Sequence, residues 1–474
     1  MLTVLAFPTI AGAQPAGDAA APTTPSPSPS PSTSTSPSPS PSTSQDKAPA
    51  GFWQRDTLTG DWGGLRTSLA DSGIKFGLQE QSELWGNATG GLRRGVVYDG
   101  LTTASVTVDL EKLAGWSGAT FFVDAYQIHG RGPSGNLVGN QQLVSNLEAT
   151  RDTKLYQLWI EQKLLDGRLT VRVGQEGAND QMMITQYGAL LLNSSFGFPG
   201  LPAADLPSGG PNYPLATPFV RAQFQATDKI TLVGAVFNGD PAPPGTGDPQ
   251  LRDAGGTAFR LNGHALAITE LWYSTNQGEG SAGLPATYKL GAWYDSAHFA
   301  DRFYDTTGLS LANPASSGVP RDHSPDFAIY GIVDQMVWRK PGSKQSGIGV
   351  FLQVMGAPAQ DNLSNLFVEA GLNWMGPFAG RDNDVFGLGV SYLGISPVAR
   401  RYSRALVAFT GTGQPYASNE TVFEATYLYQ VSPWLALQPD VQFVVNPGAG
   451  IPSGFSATPL KNAIVGGVRA SVTF

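Results

Sequence analysis

The sequence lacks cysteine and long hydrophobic runs, and each absence excludes a class of protein. None of its 474 residues is cysteine, which excludes disulfides, thiol nucleophiles and cysteine-bound zinc. No stretch of about 18 apolar residues is present, so a transmembrane helix is excluded. The four histidines lack the spacing of metal ligands. Only 14% of the residues are charged and the formal net charge is −8, so the composition does not indicate the basic surface that binding of nucleic acid requires.

Glycine and proline, in contrast, are abundant, with 58 and 36 copies. Such a composition is typical of strands joined by turns and loops. Residues 1–13 combine a short apolar run with Ala11-Gly12-Ala13, the pattern of a secretory signal peptide and its cleavage site. Residues 14–51 contain the repeat PTTPSPSPSPSTSTSPSPSPSTS and predict a disordered, extended spacer.

From residue 74 onward, apolar and polar residues alternate in segments of about ten residues, the length of a tilted membrane strand. Sixteen segments are predicted, and no helical pattern of comparable length competes with them. An even number is what a closed antiparallel bacterial barrel needs. The predicted strands are 74–86, 101–113, 118–129, 153–164, 168–176, 217–227, 230–239, 264–275, 286–298, 326–339, 346–357, 364–376, 384–396, 418–431, 433–445 and 461–474.

The connections alternate in length as well. Those after odd-numbered segments are mostly long, among them 87–100 and 177–216, and those after even-numbered segments are mostly short, such as 165–167. Two connections, 276–285 and 358–363, fit the rule poorly. Long loops at one end and tight turns at the other are typical of outer-membrane barrels. The predicted fold class is therefore all-β, a sixteen-stranded antiparallel transmembrane β-barrel over 74–474.

A barrel of sixteen strands leaves an aqueous channel, which indicates that the function is passage of a solute. Apolar side chains face lipid and polar ones line the lumen; in the fifth segment Val171 and Val173 face outward and Arg172 inward. The longest loop, 177–216, contains MMITQYGALLLNSSFGFPG, which is too apolar to extend into water. Two placements stay open: folded inward against the barrel wall, or packed as a cap over the mouth.

Before the first strand, residues 52–73 predict a short helical segment at the turn end of the barrel. Asp61 is placed to cap a helix in which Leu65 and Leu69 share a face, and Gly73 ends it. The surrounding stretch, FWQRDTLTGDWGGLRTSLADSGIKF at 52–76, resembles the N-terminal signature of the carbohydrate-selective porins of the OprB type. Further resemblance is carried by TVDLEKLAGWSGATFFV at 107–123, NSSFGFPG at 193–200, PWLALQPDVQFVVNPG at 433–448 and the final GGVRASVTF.

The resemblance implies a porin that passes glucose and similar sugars, mono- and oligosaccharides, through a charged pore narrowed by a loop, with no cofactor. Whether barrels form a homotrimer is left open. Sugars bind planar polar groups and aromatic faces. Polar and aromatic residues at inward-facing positions of the strands therefore form the candidate pore lining. Arg93, Arg94, Asp124 and His129, at or near strand ends, are expected in the vestibule. The candidate lining is Glu83, Trp85, Asp109, Glu111, Asp124, Trp159, Glu161, Arg172, Glu176, Arg221 and Trp293.

Three alternatives to a sugar porin remain open from the sequence. A structural or adhesive barrel with a plugged channel would be silent in conductance measurements. A glycosidase would use paired carboxylates such as Asp109 and Glu111, but many inward acids make such pairs common. A porin for anions or phosphate would need a lysine and arginine cluster, whereas the predicted lumen is rich in acids.

The last segment, NAIVGGVRASVTF, is expected to pair with the first strand and close the barrel. Phe474 occupies a lipid-facing position of this strand. It lies at the rim of the barrel on the side of the short turns, where a girdle of aromatic residues is expected. A terminal aromatic on such a strand also resembles the signal that barrel-assembly machinery recognises. Arg469 is the one charge that this strand is expected to direct into the lumen.

Overall fold

The computed structural model describes residues 51–277, 281, 283–343, 346–411, 415–450 and 459–474. The predicted signal peptide at 1–13 and all of the predicted spacer except Gly51 lie outside the described residues.

Sixteen strands form one closed antiparallel barrel, as predicted. The last strand pairs with the first, with Thr473 opposite Gln79 and Lys461 opposite Gly91, so the seam removes both sheet edges. A separate two-stranded sheet lies in the chain between the ninth and tenth barrel strands. The strands are β1 (Ile74–Gly91), β2 (Gly95–Asp109), β3 (Ala119–Gly130), β4 (Asp152–Leu164), β5 (Leu169–Glu176), β6 (Thr217–Gln225), β7 (Ile230–Asn238), β8 (Ala265–Thr275), β9 (Ala286–Asp295), β10 (Phe299–Asp305), β11 (Pro320–His323), β12 (Asp326–Arg339), β13 (Gly347–Gly356), β14 (Ser364–Met375), β15 (Val385–Ile395), β16 (Asn419–Ser432), β17 (Leu435–Val445) and β18 (Lys461–Thr473).

A short helix precedes the barrel, as the sequence indicated. The Asp61 carboxylate accepts hydrogen bonds from the backbone N–H of Thr67 (2.9 Å) and from its hydroxyl (2.8 Å), and Gly73 follows the helix with a φ of +93°. The residue directly before the first helical position is Gly64, which makes no capping hydrogen bond through a side chain. Asp61 therefore caps the helix from the far side of the turn at 62–64. The helices are α1 (Leu65–Asp71), α2 (Leu110–Ala114), α3 (Gly200–Asp205), α4 (Pro249–Arg252) and α5 (Pro397–Thr410).

Three local predictions were wrong. The long loop at 87–100 is replaced by a three-residue connection at 92–94, because β1 and β2 both continue into a tall hairpin. The strand predicted over 101–113 ends at Asp109, where α2 begins. The 14-residue helix α5 was not anticipated in the connection after β15. No helix among the described residues is long and apolar enough to cross a membrane.

The inward face of the barrel is partly apolar, although a barrel of this width is expected to have a polar lumen. Val233, Ala235 and Phe237 of β7 all point inward, where they contact Phe198 and Leu201 of the loop 177–216. This loop, called the inserted loop below, therefore forms a hydrophobic core with the inside of the wall. Full burial of one such side chain is worth roughly 1.5–3 kcal/mol, so the contact fixes the loop in place.

Candidate functional site

The inserted loop lies within the barrel, so of the two placements left open the inward one is correct. Three wall carboxylates accept hydrogen bonds from its backbone. Glu270 of β8 binds the N–H of Met183 at 2.8 Å. Asp334 of β12 accepts two consecutive N–H groups, of Gln186 and Tyr187, at 2.9 and 3.1 Å. Glu424 of β16 likewise accepts those of Leu192 and Asn193, at 2.5 and 2.9 Å.

The second half of the inserted loop is held by Asp205 in α3. Its carboxylate accepts the backbone N–H groups of Leu363 (2.5 Å) and Ser364 (3.1 Å) and lies 3.3 Å from the guanidinium of Arg302. Burial raises the pKa of Asp205 to about 7, although Arg302 and the two N–H groups favour its charged form. This carboxylate ties the inserted loop to the loop between β13 and β14.

A second loop, 131–151, also turns inward, on the side of β16, β18 and β1. Glu420 accepts the N–H groups of Gln141 and Gln142, at 2.9 and 2.7 Å. Arg469 of β18 bridges the Asn146 side chain and Glu83, each at 2.5 Å. Arg469 is thus the inward charge predicted for the last strand, and it serves to hold this loop.

These two loops leave one side of the lumen accessible. Along the middle of β12–β17 the inward side chains are buried, because the loops lie against them. On β3–β9 several inward side chains remain partly exposed, which places the open passage along this side of the wall. They are Thr120, Phe122, Trp159, Glu161, Gln223, Trp272 and Lys289.

Arg172 is the centre of a charge-balanced cluster on this wall. Its guanidinium contacts Glu161 at 2.8 and 3.0 Å and Glu176 at 2.8 Å, and it lies 3.8 Å from the ring centre of Trp159. On the adjacent strand, directly opposite Arg172, Arg221 donates to Gln223 at 2.6 Å. Two guanidinium groups and two carboxylates thus meet beside one aromatic face. Such planar donors suit vicinal hydroxyl groups, and the ring suits the C–H surface of a sugar.

A second aromatic–cation pair lies further along the wall, and the sequence analysis missed it. The Nζ of Lys289 lies 4.9 Å from the ring centre of Trp272, whose indole N–H donates to Glu270 at 2.5 Å. A signal existed in the sequence. Glu83-Leu84-Trp85, Gln157-Leu158-Trp159 and Glu270-Leu271-Trp272 repeat one pattern, and in each the indole N–H donates to the side chain two positions earlier.

The structure brings together five of the predicted residues and separates the others. Trp159, Glu161, Arg172, Glu176 and Arg221 form the cluster described above, here called the Arg172 cluster. Trp85 and Trp293 point inward, as predicted, but are 0% and 1% exposed. Trp85 packs beneath the loop 131–151 and Trp293 beneath the inserted loop, so neither ring faces the passage.

Four predicted carboxylates have structural partners. Glu83 is buried and holds Arg469 and Trp85. Asp124, buried near the middle of β3 rather than at its end, accepts the backbone N–H of Gln157 at 2.7 Å. The placement of Asp109 and Glu111 on a strand was wrong. Asp109 caps α2, and Glu111 accepts from Ser117 and Gly118 at the exposed turn.

The vestibule prediction for His129 was also wrong. His129 faces outward on β3, 3.3 Å from Glu80 on the outward face of β1. Arg93 and Arg94 occupy the tip of the β1–β2 hairpin, which the sequence analysis had treated as a long loop.

Comparison with known proteins agrees with this architecture. The family model described as "Carbohydrate-selective porin, OprB family" matches residues 93–474. Porin B of Pseudomonas aeruginosa is 24% identical over 435 residues, covering 88% of this chain and 91% of that protein. The putative porin QuiX of Acinetobacter baylyi is 23% identical, covering 84% and 91%. The high-pH structure of Pseudomonas putida OprB superposes with a TM-score of 0.77 at 24% identity, covering 90% of this chain and all of that one.

Proposed function

Because this chain belongs to the carbohydrate-selective porins of the OprB family, and is thus a non-enzymatic outer-membrane channel for sugars, we propose that its solutes pass between the inserted loop and the Arg172 cluster. The observation that supports this path is the set of partly exposed inward side chains in the turn-side half of β3–β9, whereas nearer the long loops the inserted loop covers β7 and β9. Glucose and similar neutral sugars are the proposed solutes. Trp159, Glu161, Arg172 and Trp272 are the proposed contacts, whereas Glu176 and Arg221, which are 0% and 3% exposed, are buried beside Arg172.

The charge balance of the Arg172 cluster supports neutral solutes over anions. Arg172 pairs with two carboxylates and Arg221 lies opposite it on the next strand, so an entering anion finds no net positive charge, and nearby Glu270 is balanced by Lys289. A hydroxyl group, in contrast, both donates and accepts hydrogen bonds and suits such a mixed surface. Contacts at the open wall are few, which lets the solute leave again.

Liposome swelling tests this function directly. We expect glucose to enter liposomes that contain the barrel faster than gluconate, which has similar size but carries a carboxylate. Protein-free liposomes with the same lipids are the control. Equal rates for the two solutes would contradict carbohydrate selectivity while leaving the channel itself intact.

We also infer that barrel-assembly machinery recognises β18 through Phe474. Phe474 follows the outward parity of the strand, and its backbone N–H donates to Leu78 of β1 at 2.9 Å across the seam. Deleting Phe474 should lower the amount of barrel in the outer membrane without changing the sugar preference of inserted barrels.

The matched control for the deletion is Arg66→Ala. Arg66 donates to the carbonyl of Phe474 at 2.6 Å, so its loss removes this contact and keeps the aromatic ring. Heat-modifiable migration in gels of isolated outer membranes measures the folded amount. Normal levels of the deleted protein, or an equal loss in Arg66→Ala, would refute recognition of the ring.

A homotrimer is our further proposal, supported by a polar cluster on the outward face of β1–β3. Glu80 accepts from Thr102 at 2.5 Å and contacts His129, which in turn lies 3.0 Å from the Tyr98 hydroxyl. Polar groups on this face are costly against lipid, and a neighbouring barrel would cover them. Native mass spectrometry of the barrel in mild detergent should give the trimer mass; a monomer mass would contradict the proposal.

A further inference from the structure

A cavity of about 460 Å³ lies at the tip of the β1–β2 hairpin, away from the passage for sugars. Four arginines line it: Arg93 and Arg94 of the hairpin, Arg131 after β3, and Arg151 before β4. No acidic residue contributes to its lining. The volume falls within the range of roughly 300–1,000 Å³ that is typical of sites for small ligands.

Within the part of the chain that the structure describes, none of the four guanidinium groups lies within 4.0 Å of an acidic group. The nearest acid in sequence, Asp152, contacts Lys154 at 3.9 Å. In a chain with a net charge of −8, the cavity is a local concentration of four positive charges.

The backbone holds these arginines around the cavity. The N–H of Arg131 donates to the carbonyl of Tyr98 at 2.7 Å, which fixes the start of the loop 131–151 against the edge of β2. The Nε of Arg93 donates to the carbonyl of Asn136 at 2.9 Å, so the hairpin tip is attached to the same loop. Arg94, Arg131 and Arg151 are exposed, and their guanidinium groups are free to bind an anion.

The cavity also opens toward lipid. Val96 and Tyr98, which line it, lie on the outward parity of β2 and are 66% and 46% exposed. One site thus combines cationic groups at the long-loop end of the barrel with an apolar surface that continues onto the lipid-facing wall. A free anion would use the arginines alone, whereas a lipid with an anionic headgroup would use both parts.

We propose that this cavity binds the phosphate groups of an outer-leaflet glycolipid. Guanidinium groups bind phosphate oxygens through paired, charge-assisted hydrogen bonds, and arginine is the residue best suited to that geometry. The acyl chains of the lipid lie along Val96, and in the proposed trimer the surface that they cover ends where the cluster of Glu80, Tyr98 and His129 begins. The site is separate from the sugar passage, because the side chains of Val96 and Tyr98 point away from the lumen.

The test measures binding of diphosphoryl lipid A to the full barrel in mixed micelles. In the test variant Arg93, Arg94, Arg131 and Arg151 are replaced by glutamine. Its matched control replaces Arg321, Arg400, Arg401 and Arg404, at the same end of the barrel on β11 and α5, by glutamine. We expect the test variant to bind about tenfold more weakly or worse, since each cationic group near an anionic lipid surface adds to affinity. The control should bind like the unmodified barrel.

Three results would overturn the proposal. Equal losses in the two variants would show a general effect of charge, and undiminished binding of phosphatase-treated lipid A would show that phosphate is not recognised. Equally tight binding of inorganic phosphate or glucose 6-phosphate would assign the site to soluble anions. Resistance of the folded band to heating verifies the fold of each variant. If the fourfold variant does not fold, the single changes Arg94→Gln and Arg131→Gln must each weaken binding for the proposal to stand.

Discussion

In planar bilayers, the Arg172→Ala barrel is expected to favour cations and to lose most of its block by glucose. Arg172 balances Glu161 and Glu176, so its removal changes the net charge of the Arg172 cluster from zero to −1. It also removes the planar donor beside Trp159. Hydrogen bonds to charged groups contribute about 1.5–3 kcal/mol each, so the glucose concentration for half-block should rise roughly 10- to 100-fold.

A second variant separates charge from hydrogen bonding. Combining Glu161→Gln, Arg172→Met and Glu176→Gln removes the donor without leaving two unpaired carboxylates in a partly buried site. Glucose block should again be lost, but the preference for cations should not appear. Arg168→Ala is the matched control, because Arg168 is exposed at a turn and donates to backbone carbonyls there. Unchanged glucose block in Arg172→Ala would remove this cluster from the proposed path.

The barrel could be predicted from the sequence because its two faces meet two different solvents. Each strand alternates between lipid and lumen, and a shift by one residue would turn its charges outward, at about 2–4 kcal/mol for an arginine or lysine at the midplane. Sixteen strands and their seam follow from that alternation. Glu80 departs from this alternation, because it lies on the outward parity of β1, and the structure gives it outward partners in Thr102 and His129.

Where the interior is filled by a loop, the alternation gives less information. Inward residues of β7 are apolar because they meet Phe198 and Leu201, which are remote in sequence. Trp85 and Trp293 have the inward parity of a pore lining, yet the loops cover both rings. Parity therefore identifies the side of the wall on which a residue lies, whereas long-range contacts decide whether a solute can reach it.

For the Arg172 cluster, too, alternation predicts which side of the wall each residue faces, whereas the contacts appear only in the structure. Arg172, Glu161, Glu176 and Arg221 all have the inward parity; Arg172 contacts both acids, and Arg221 lies opposite it on the neighbouring strand. The predicted lining omits Trp272, although Trp272 and Trp159 both follow a leucine and a side chain that accepts a hydrogen bond from the indole. Their shared pattern reflects strand geometry, since residues two apart lie on one face.

Removing the wall carboxylates that bind the inserted loop should widen the passage. In the double variant Asp334→Ala and Glu424→Ala, four backbone N–H groups of the loop lose their acceptors. Each buried N–H without a partner costs roughly 1–3 kcal/mol, so the loop should leave this part of the wall. We expect higher single-channel conductance, and in liposomes faster entry of a trisaccharide relative to glucose.

Two further variants define the cause of that widening. Glu424→Gln keeps one acceptor oxygen toward Leu192 and Asn193, so its conductance should lie between those of the unmodified and the doubly substituted barrel. Glu111→Ala removes an exposed carboxylate at a turn, far from the inserted loop, and should change nothing. Because Phe198 and Leu201 still pack on the wall, the double variant keeps part of the loop in place, and its conductance should stay below that of a barrel without the loop. Unchanged conductance and solute size limit in the double variant would show that apolar packing alone sets the constriction.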